Sequence, residues 1–405
     1  MVGLDVGTSR ISVLVAERAT EGEIRIIGVG TQPSDGVRKG EVVSIDKAVK
    51  AIEKAIAQAE RISGVEIRSA FAGVRGGQVQ TFESRSLLPV AKPAVGVTPR
   101  DVKKAITAAQ AIALPPDFEI IHVIPQRFAV DNQKDIANPE GMLGTRLEAM
   151  VLIVTGAITS IHNMIKSINQ AGVEVEDIVF QPLASSIAVL RPEEQKSGVL
   201  LLDLGGGTTD YLLFQDDVIR STGVLKVGGD HVTNDISIGL NLLHNQAEEV
   251  KKKYGSALIS RVSEGENFFL PVAMDRAETG ISRQKLSRII QLRMSEIFTL
   301  IRKELEEKGL FQSLGSGVII TGGNSLLENA AELGEKIFQM PVRRGNPRGV
   351  SGLREIIDGP SYAAAVGLVR YGFQQRAEEK SGRGKGGRGL IRPAKNIKGW
   401  LEKYF

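Results

Sequence analysis

The chain has 405 residues, 42% of them hydrophobic and 24% charged, with a net charge of only +4. This length exceeds a single hydrophobic core and calls for about two or three domains. The absence of cysteine excludes disulfides and Cys-ligated metals, and four scattered histidines at no ligand spacing argue against a His-held zinc ion. With no signal-peptide pattern and no apolar run near the roughly 20 residues of a membrane span, a soluble, cytoplasmic body is expected.

The first strand runs into Gly3-Leu-Asp-Val-Gly-Thr-Ser9, and Ile11 to Val15 resumes as a second strand. A helical stripe follows at positions 48, 49, 52, 55, 56, 59 and 62, which packs on that sheet. From about Val74 to Gly156 the texture changes. Strands over Val79 to Phe82, Ile120 to Val130 and Ala149 to Val154 surround a helix that opens at Thr98-Pro99 and fades before Pro115-Pro116, giving an inserted α+β subdomain. Within it, Pro125-Gln126 reads as a strand bulge and His122 as a satisfied, half-buried histidine, neither with chemistry.

Helices over Ile158 to Gln170 and Ala184 to Leu190 lead to the central stretch, Leu201-Leu-Asp-Leu-Gly-Gly-Gly-Thr-Thr-Asp210. A buried strand meets three glycines, and Tyr211 to Phe214, a turn at Gln215 to Asp217 and Val218 to Thr222 then close a hairpin rather than open a helix. GxxxxGK[ST] is absent, and a phosphate cradle and an ordinary hairpin turn both fit. The same device occurs at Asp5, so two related α/β halves face each other across a cleft.

Lys226-Val-Gly-Gly-Asp230 precedes a helix from His231 to Leu243, with Asp230 placed to cap it. Its glycine pair either offers N–H groups to an anion or caps alone. Ala247 to Tyr254 is a charged helix that lines a pocket or faces solvent. The long helix Ser282 to Lys308 carries Arg283, Arg288, Arg293 and Arg302 among its polar positions. Val318 to Asn324 is a third strand ending in glycines, followed by a helix from Ser325 to Phe338 under a Ser325/Glu328 capping box. The Ala/Gly-rich helix Ser361 to Tyr371 crosses beneath the cleft.

After Tyr371 periodicity is lost. Residues 376–393 read as a flexible basic linker, and Gly384 to Gly389 fits GxGxxG only by letter, without a preceding strand. Lacking aromatics, this stretch gives no case for nucleic acid. Ile397, Trp400, Leu401, Tyr404 and Phe405 then form one apolar stripe, an amphipathic helix over 394–405 suited to a membrane interface or partner groove, with a packed terminal helix as the alternative.

The ordered set Gly3 to Ser9, Leu183-Ala-Ser-Ser186, Asp203 to Thr209, Gly322-Gly-Asn324 and Tyr362 to Leu368 resembles the five nucleotide-site motifs of the actin, DnaK-chaperone and sugar-kinase superfamily. Ile26-Ile-Gly-Val-Gly30, His122-Val-Ile-Pro-Gln126, the position of the insertion and Trp400-Leu401 make the chain similar to the FtsA family of bacterial cell-division proteins. The resemblance implies an α/β, actin-like two-domain fold of duplicated ribonuclease-H-like halves around a nucleotide cleft. The first domain would take 1–73, 155–184 and 365–375, the inserted subdomain 74–154, and the second domain 185–364 with an outer part at about 230–305.

The resemblance also implies ATP and Mg²⁺, the ion at Asp5 and Asp203 through waters. Gly7, Thr8, Ser9, Gly205, Gly206, Gly207, Thr208 and Thr209 would cradle the phosphates, with Arg10 adding charge opposite them. Gly228 and Gly229 would meet the sugar-phosphate side, Glu249 and Lys251 the ribose or base, and Gly322, Gly323 and Asn324 the purine. No residue stands out as a water-orienting base, and the single glycine of the first loop implies slow hydrolysis at most. Implied partners are further copies in a filament, the C-terminal peptide of FtsZ at Arg283 and Arg293, other division proteins, and the cytoplasmic side of the bacterial inner membrane through the C-terminal helix. An actin-type pilus-assembly or cell-shape ATPase and a small-molecule kinase of the same fold are the alternatives.

Overall fold

A computed structural model describes residues 1–19, 23–76, 79–269 and 280–381. Residues 382–393 of the expected linker and the terminal stripe of Ile397, Trp400, Leu401, Tyr404 and Phe405 lie outside the described residues.

The first half opens with an antiparallel meander of β1 (Val2–Val6), β2 (Arg10–Arg18) and β3 (Ile24–Pro33). A small hairpin, β4 (Val37–Arg38) and β5 (Glu41–Val42), precedes α1 (Ile45–Ser63), and β6 (Ser69–Val74) then joins β1 in parallel. α1 buries Ala48, Ala51, Ile52, Ala55, Ile56 and Ala59 against β3, most of the apolar stripe expected of it, but Val49 is half-buried and Ile62 at its end is exposed. It ends at Gly64, whose φ of 68° is the left-handed cap conformation.

The insertion supplies β7 (Val79–Pro89), α2 (Pro99–Ala109), β8 (Phe118–Val130), β9 (Gln133–Ile136) and β10 (Arg146–Ala157), in a sheet ordered β7-β10-β8-β9. Thr98 and Asp101 cap α2 reciprocally. β7 and β10 outrun their expected lengths because they pair with each other from Val79/Gly156 to Pro89/Arg146, and that ladder carries polar positions no apolar run would flag. The bulge is where it was expected: the β8–β10 register skips Gln126. The extra residue aims at the other half, since Gln126 Nε2 donates to the Ile219 carbonyl at 2.7 Å, and Arg127 pairs with Asp216 at 3.1 Å. His122 is fully rather than half buried, and its Nε2 accepts the Phe180 N–H at 2.9 Å.

α3 (Ile158–Gln170) leads to β11 (Glu174–Phe180), which lies parallel beside β6. α4 (Gln181–Val189) and α5 (Pro192–Ser197) then carry the chain to the second half. That half repeats the plan: a meander of β12 (Val199–Leu204), β13 (Thr209–Gln215) and β14 (Val218–Leu225), then α6 (Gly229–Leu240), α7 (His244–Tyr254), a short β15 (Asn267–Phe268)–β16 (Ile281–Ser282) pair and α8 (Arg283–Glu307). β17 (Val318–Thr321), α9 (Ala330–Phe338) and β18 (Val342–Arg344) complete it. The sheets read β11-β6-β1-β2-β3 and β18-β17-β12-β13-β14, one topology used twice. β19 (Val350–Gly352) returns to pair with β3 at the first sheet's edge, and α10 (Arg354–Ile357) and α11 (Ala363–Ser381) follow.

Three local expectations change. The Ser325/Glu328 capping box does not form: a 3-10 turn occupies Gly323–Leu326, Ser325 Oγ donates to the Gly322 carbonyl at 2.7 Å, and α9 starts only at Ala330. α6 begins at Gly229, so Asp230 lies within its first turn rather than capping it. α11 continues to Ser381, so 376–381 are helical, not linker; past Tyr371 it is held by an Arg376–Glu176 pair at 2.9 Å. Among the described residues no helix is long and apolar enough to cross a membrane.

Candidate functional site

The glycine turns end the first strand of each half and have the same construction. Gly7 N–H reaches the Arg10 carbonyl and Gly205 N–H the Thr208 carbonyl, both at 3.0 Å. The turns touch across the cleft: a Cβ on Gly206 would strike Ser9 Oγ, and one on Gly207 would lie 2.7 Å from Thr8 Oγ1 and from Lys39 Cα. Carbonyls of the second turn are already taken. Gly229 N–H donates to Gly205 (3.0 Å), Asp230 N–H to Gly206 (2.8 Å), and Asn324 Nδ2 also reaches Gly205 (2.6 Å). With acceptors drawn toward the start of α6, the turn is left with N–H donors, the groups an anion takes.

Beneath the turns lies a buried charged core. Asp5, Asp203 and Asp210 are 6%, 4% and 1% exposed. Asp203 Oδ2 accepts Ser185 Oγ from α4 at 2.7 Å, and Asp210 Oδ2 accepts Thr208 Oγ1 at 3.1 Å, while Asp210 Oδ1 has no partner. Arg75, just past β6, reaches in with Nη2 at 3.6 Å from Asp5 Oδ1, and its Nε donates to Gln181 Oε1. Burial raises the Asp5 pKa, Arg75 opposing and Asp203 adding. Burial likewise pushes Asp210 up to about 7. Gly323 borders open space, since a Cβ there would meet nothing within 4 Å, whereas Gly322 holds φ at 81° with its Cα against Asp203 and the Leu204 carbonyl.

Comparison with known proteins places this geometry. Residues 200–367 match the family profile "Cell division protein FtsA", and residues 76–155 match "SHS2 domain inserted in FTSA". The cell division protein FtsA of Pseudomonas aeruginosa is 40% identical over 94% of this chain and 91% of its own, and that of Bacillus subtilis 37% identical over 91% and 82%. The chain belongs to the FtsA family of cell-division proteins. Among solved structures, the PilM-PilN type IV pilus biogenesis complex superposes with a TM-score of 0.67 at 18% identity, covering 92% of this chain and 98% of that one. MreB5 of Spiroplasma citri bound to ADP gives 0.55 at 14%, covering 94% and 98%. The fold is actin-like, with an inserted subdomain.

Several residues expected at an FtsA nucleotide site are placed otherwise. Arg10 donates to the Ser361 carbonyl and lies 4.3 Å over the Tyr362 ring, fastening the first turn to the start of α11 rather than standing opposite the second turn. Thr209 Oγ1 donates to the Val227 carbonyl and begins β13. Lys251 is buried under the α6 terminus, its Nζ 2.6 Å from Glu248, 2.7 Å from Thr233 and 3.1 Å from the Gly229 carbonyl; burial lowers its pKa. The acid beside it is Glu248, and Glu249 is exposed. Arg283 is bound to Glu266 and Glu328, and Arg293 to Asp235 and Glu296, so these two arginines of α8 carry matched charge and do not form an open basic face.

Sequence reasoning quoted Asp210 without a role and missed Arg75 and Gln181. Arg75 had one usable signal: it follows a buried apolar run, and in open α/β sheets the residues just past strand ends line the site.

Asp210 gives this FtsA relative a pH dependence. Its folded pKa, about 7, lies above the ordinary 3.8. The native state therefore holds the proton more tightly than the unfolded chain, and stability falls as pH rises from about 4 to about 7. Asp210→Asn should reduce the fall, leaving the part due to Asp5, checked by urea midpoints at about pH 5 and about pH 8, and should leave the variant the more stable of the two at the higher pH.

Proposed function

We propose that this FtsA-family protein binds ATP between its two halves, assembles with copies of itself, and ties FtsZ to the cytoplasmic face of the cell membrane at the division site. The observation that carries the nucleotide reading is the pair of matching glycine turns set against each other above three buried carboxylates. In this reading the N–H groups of the second turn and the hydroxyls of Thr8 and Ser9 hold the phosphates. The open space at Gly323 takes the flat base. In this reading binding is the primary task, and turnover is slow or absent.

Mg²⁺ fits this donor set in one way only. Hard carboxylate oxygens suit it, but one oxygen of Asp5 and one of Asp203 are already hydrogen-bonded, and among the described residues no three acidic or histidine groups converge on one point. An ion would therefore be held by Asp5 and Asp203 through water, and when bound it supplies charge against the phosphates.

The apolar stripe of Ile397, Trp400, Leu401, Tyr404 and Phe405 supplies the membrane contact. Each such side chain is worth about 1.5–3 kcal/mol when fully buried, and each nearby Lys about 1 kcal/mol on an anionic leaflet. A segment this short must fold as it inserts, so one tail holds weakly and a filament of tails holds firmly through effective concentration. Trp400→Glu should abolish co-sedimentation with anionic liposomes and leave ATP binding intact; retained pelleting would sink the membrane reading. FtsZ docking at α8 requires its acidic peptide to displace Glu266, Glu328, Asp235 or Glu296 from Arg283 and Arg293.

A further inference from the structure

Arg75 belongs to the first half and reaches the charged core that lies between the two. It leaves the end of β6 and is held at three points. Its Nε donates to Gln181 Oε1, whose own Nε2 donates to Asp5 Oδ1 at 2.5 Å. Its stem lies under the β4–β5 turn, where a Cβ on Gly40 would be 3.1 Å from Arg75 Cγ. Its Nη1 sits at the second glycine turn, 2.6 Å from where a Cβ on Gly205 would stand. The side chain is only 9% exposed. Burial works against its charge, but Asp5, Asp203 and Asp210 more than offset that, so the guanidinium stays charged. Asp5 of the same half and Asp203 and Asp210 of the other thus share one buried base.

A water-held divalent ion would draw on Asp5 and Asp203, the same carboxylates whose charge Arg75 already partly offsets. We propose that Arg75 is a resident cation of this site, a positioning group that offsets part of the carboxylates' charge and carries positive charge to the base of the phosphate turn, so that nucleotide affinity depends only weakly on divalent metal. The proposal rests on the nucleotide reading above. Arginine suits the task because its planar fork bonds Gln181 and reaches Asp5 at once, and it remains charged when buried.

The test is ATP affinity of the full chain, by titration calorimetry, with excess Mg²⁺ and with EDTA. Wild type is expected to lose less than about fivefold on removal of metal, whereas Arg75→Gln should lose about 10- to 100-fold, the range of a charge-assisted hydrogen bond. Arg75→Lys, which keeps the charge, should recover most of the difference; a purely structural role would not follow charge in this way. Arg75→Gln strands buried acids and can fail to fold, so the double variant Arg75→Gln/Asp210→Asn, with one fewer charge to match, carries the same comparison. Equal metal dependence in wild type and Arg75→Gln overturns the proposal, as does tighter binding by Arg75→Gln in Mg²⁺, which would make the arginine a competitor of the ion. Wild type that binds no ATP in either condition overturns the nucleotide reading itself.

Discussion

Gly228→Ala should lower ATP affinity by about 10- to 100-fold. A Cβ at this position would lie 2.5 Å from the Gly206 carbonyl oxygen and 2.7 Å from that of Gly205, both rigid backbone. Relief requires the second glycine turn and the start of α6 to separate. That breaks the bonds from Gly229 N–H to Gly205 and from Asp230 N–H to Gly206, each worth about 0.5–1.5 kcal/mol, and frees carbonyls to face an anion. Gly323→Ala is the matched control, since its Cβ meets no atom within 4 Å. It should leave the thermal transition in place and act only by narrowing the space assigned to the base. Equal ATP affinity in Gly228→Ala and wild type would remove the second turn from the phosphate site.

Gly367→Ala should cost the molecule more than any other single methyl group discussed so far. Gly367 lies on α11 where it crosses α4, so close that a Cβ would overlap the Ala184 carbonyl group. Neither helix can yield locally: Ala184, Ala364, Ala365, Val366 and Leu368 are all buried, and α4 also carries the Ser185 bond to Asp203. Overpacking of backbone on backbone lies at or beyond the upper end of the usual penalty, about 3 kcal/mol, which lowers the main thermal transition by roughly 6–12 °C. Because α4 and α11 join the halves, the same variant should also weaken ATP binding. A scanning-calorimetry transition unchanged from wild type would refute the close crossing.

Much of the plan was legible because it is written in local pattern. Val199 to Leu202 is apolar and glycines follow it, so strand and turn are visible without tertiary information, and the second copy at Asp5 exposes the duplication. What escaped depends on distance along the chain. Arg75 looks like any charged residue after a strand until β6 pairs with β1, from which it is separated by two strands, a hairpin and α1. Arg283 and Arg293 look unmatched because Glu328 and Asp235 belong to other elements. The Ser325/Glu328 box has the right letters, yet Gly322 at positive φ offers its carbonyl to Ser325, Arg283 takes Glu328, and the helix waits for Ala330. α11 outruns its apolar pattern because Phe373 still packs on the core, and Gln374 to Lys380 are good helix formers that need none.

β19 is laid on the first sheet only after the second sheet is complete, so the chain crosses outward through α4 and comes back through residues 345–349. The two passages run side by side, with Arg348 N–H bonded to the Ala188 carbonyl at 2.9 Å and the Arg370 guanidinium donating to both Ile187 and Arg348. This margin joins the halves like the spine of a book, and the insertion adds a second tie through Gln126 to Ile219 and Arg127 to Asp216. Slippage of one board past the other would strip the β3–β19 ladder, whereas a change in the angle between them leaves it whole. Whatever occupies the space between the glycine turns therefore acts on the opening angle, and a contact made at the fore-edge is felt as rotation of both boards.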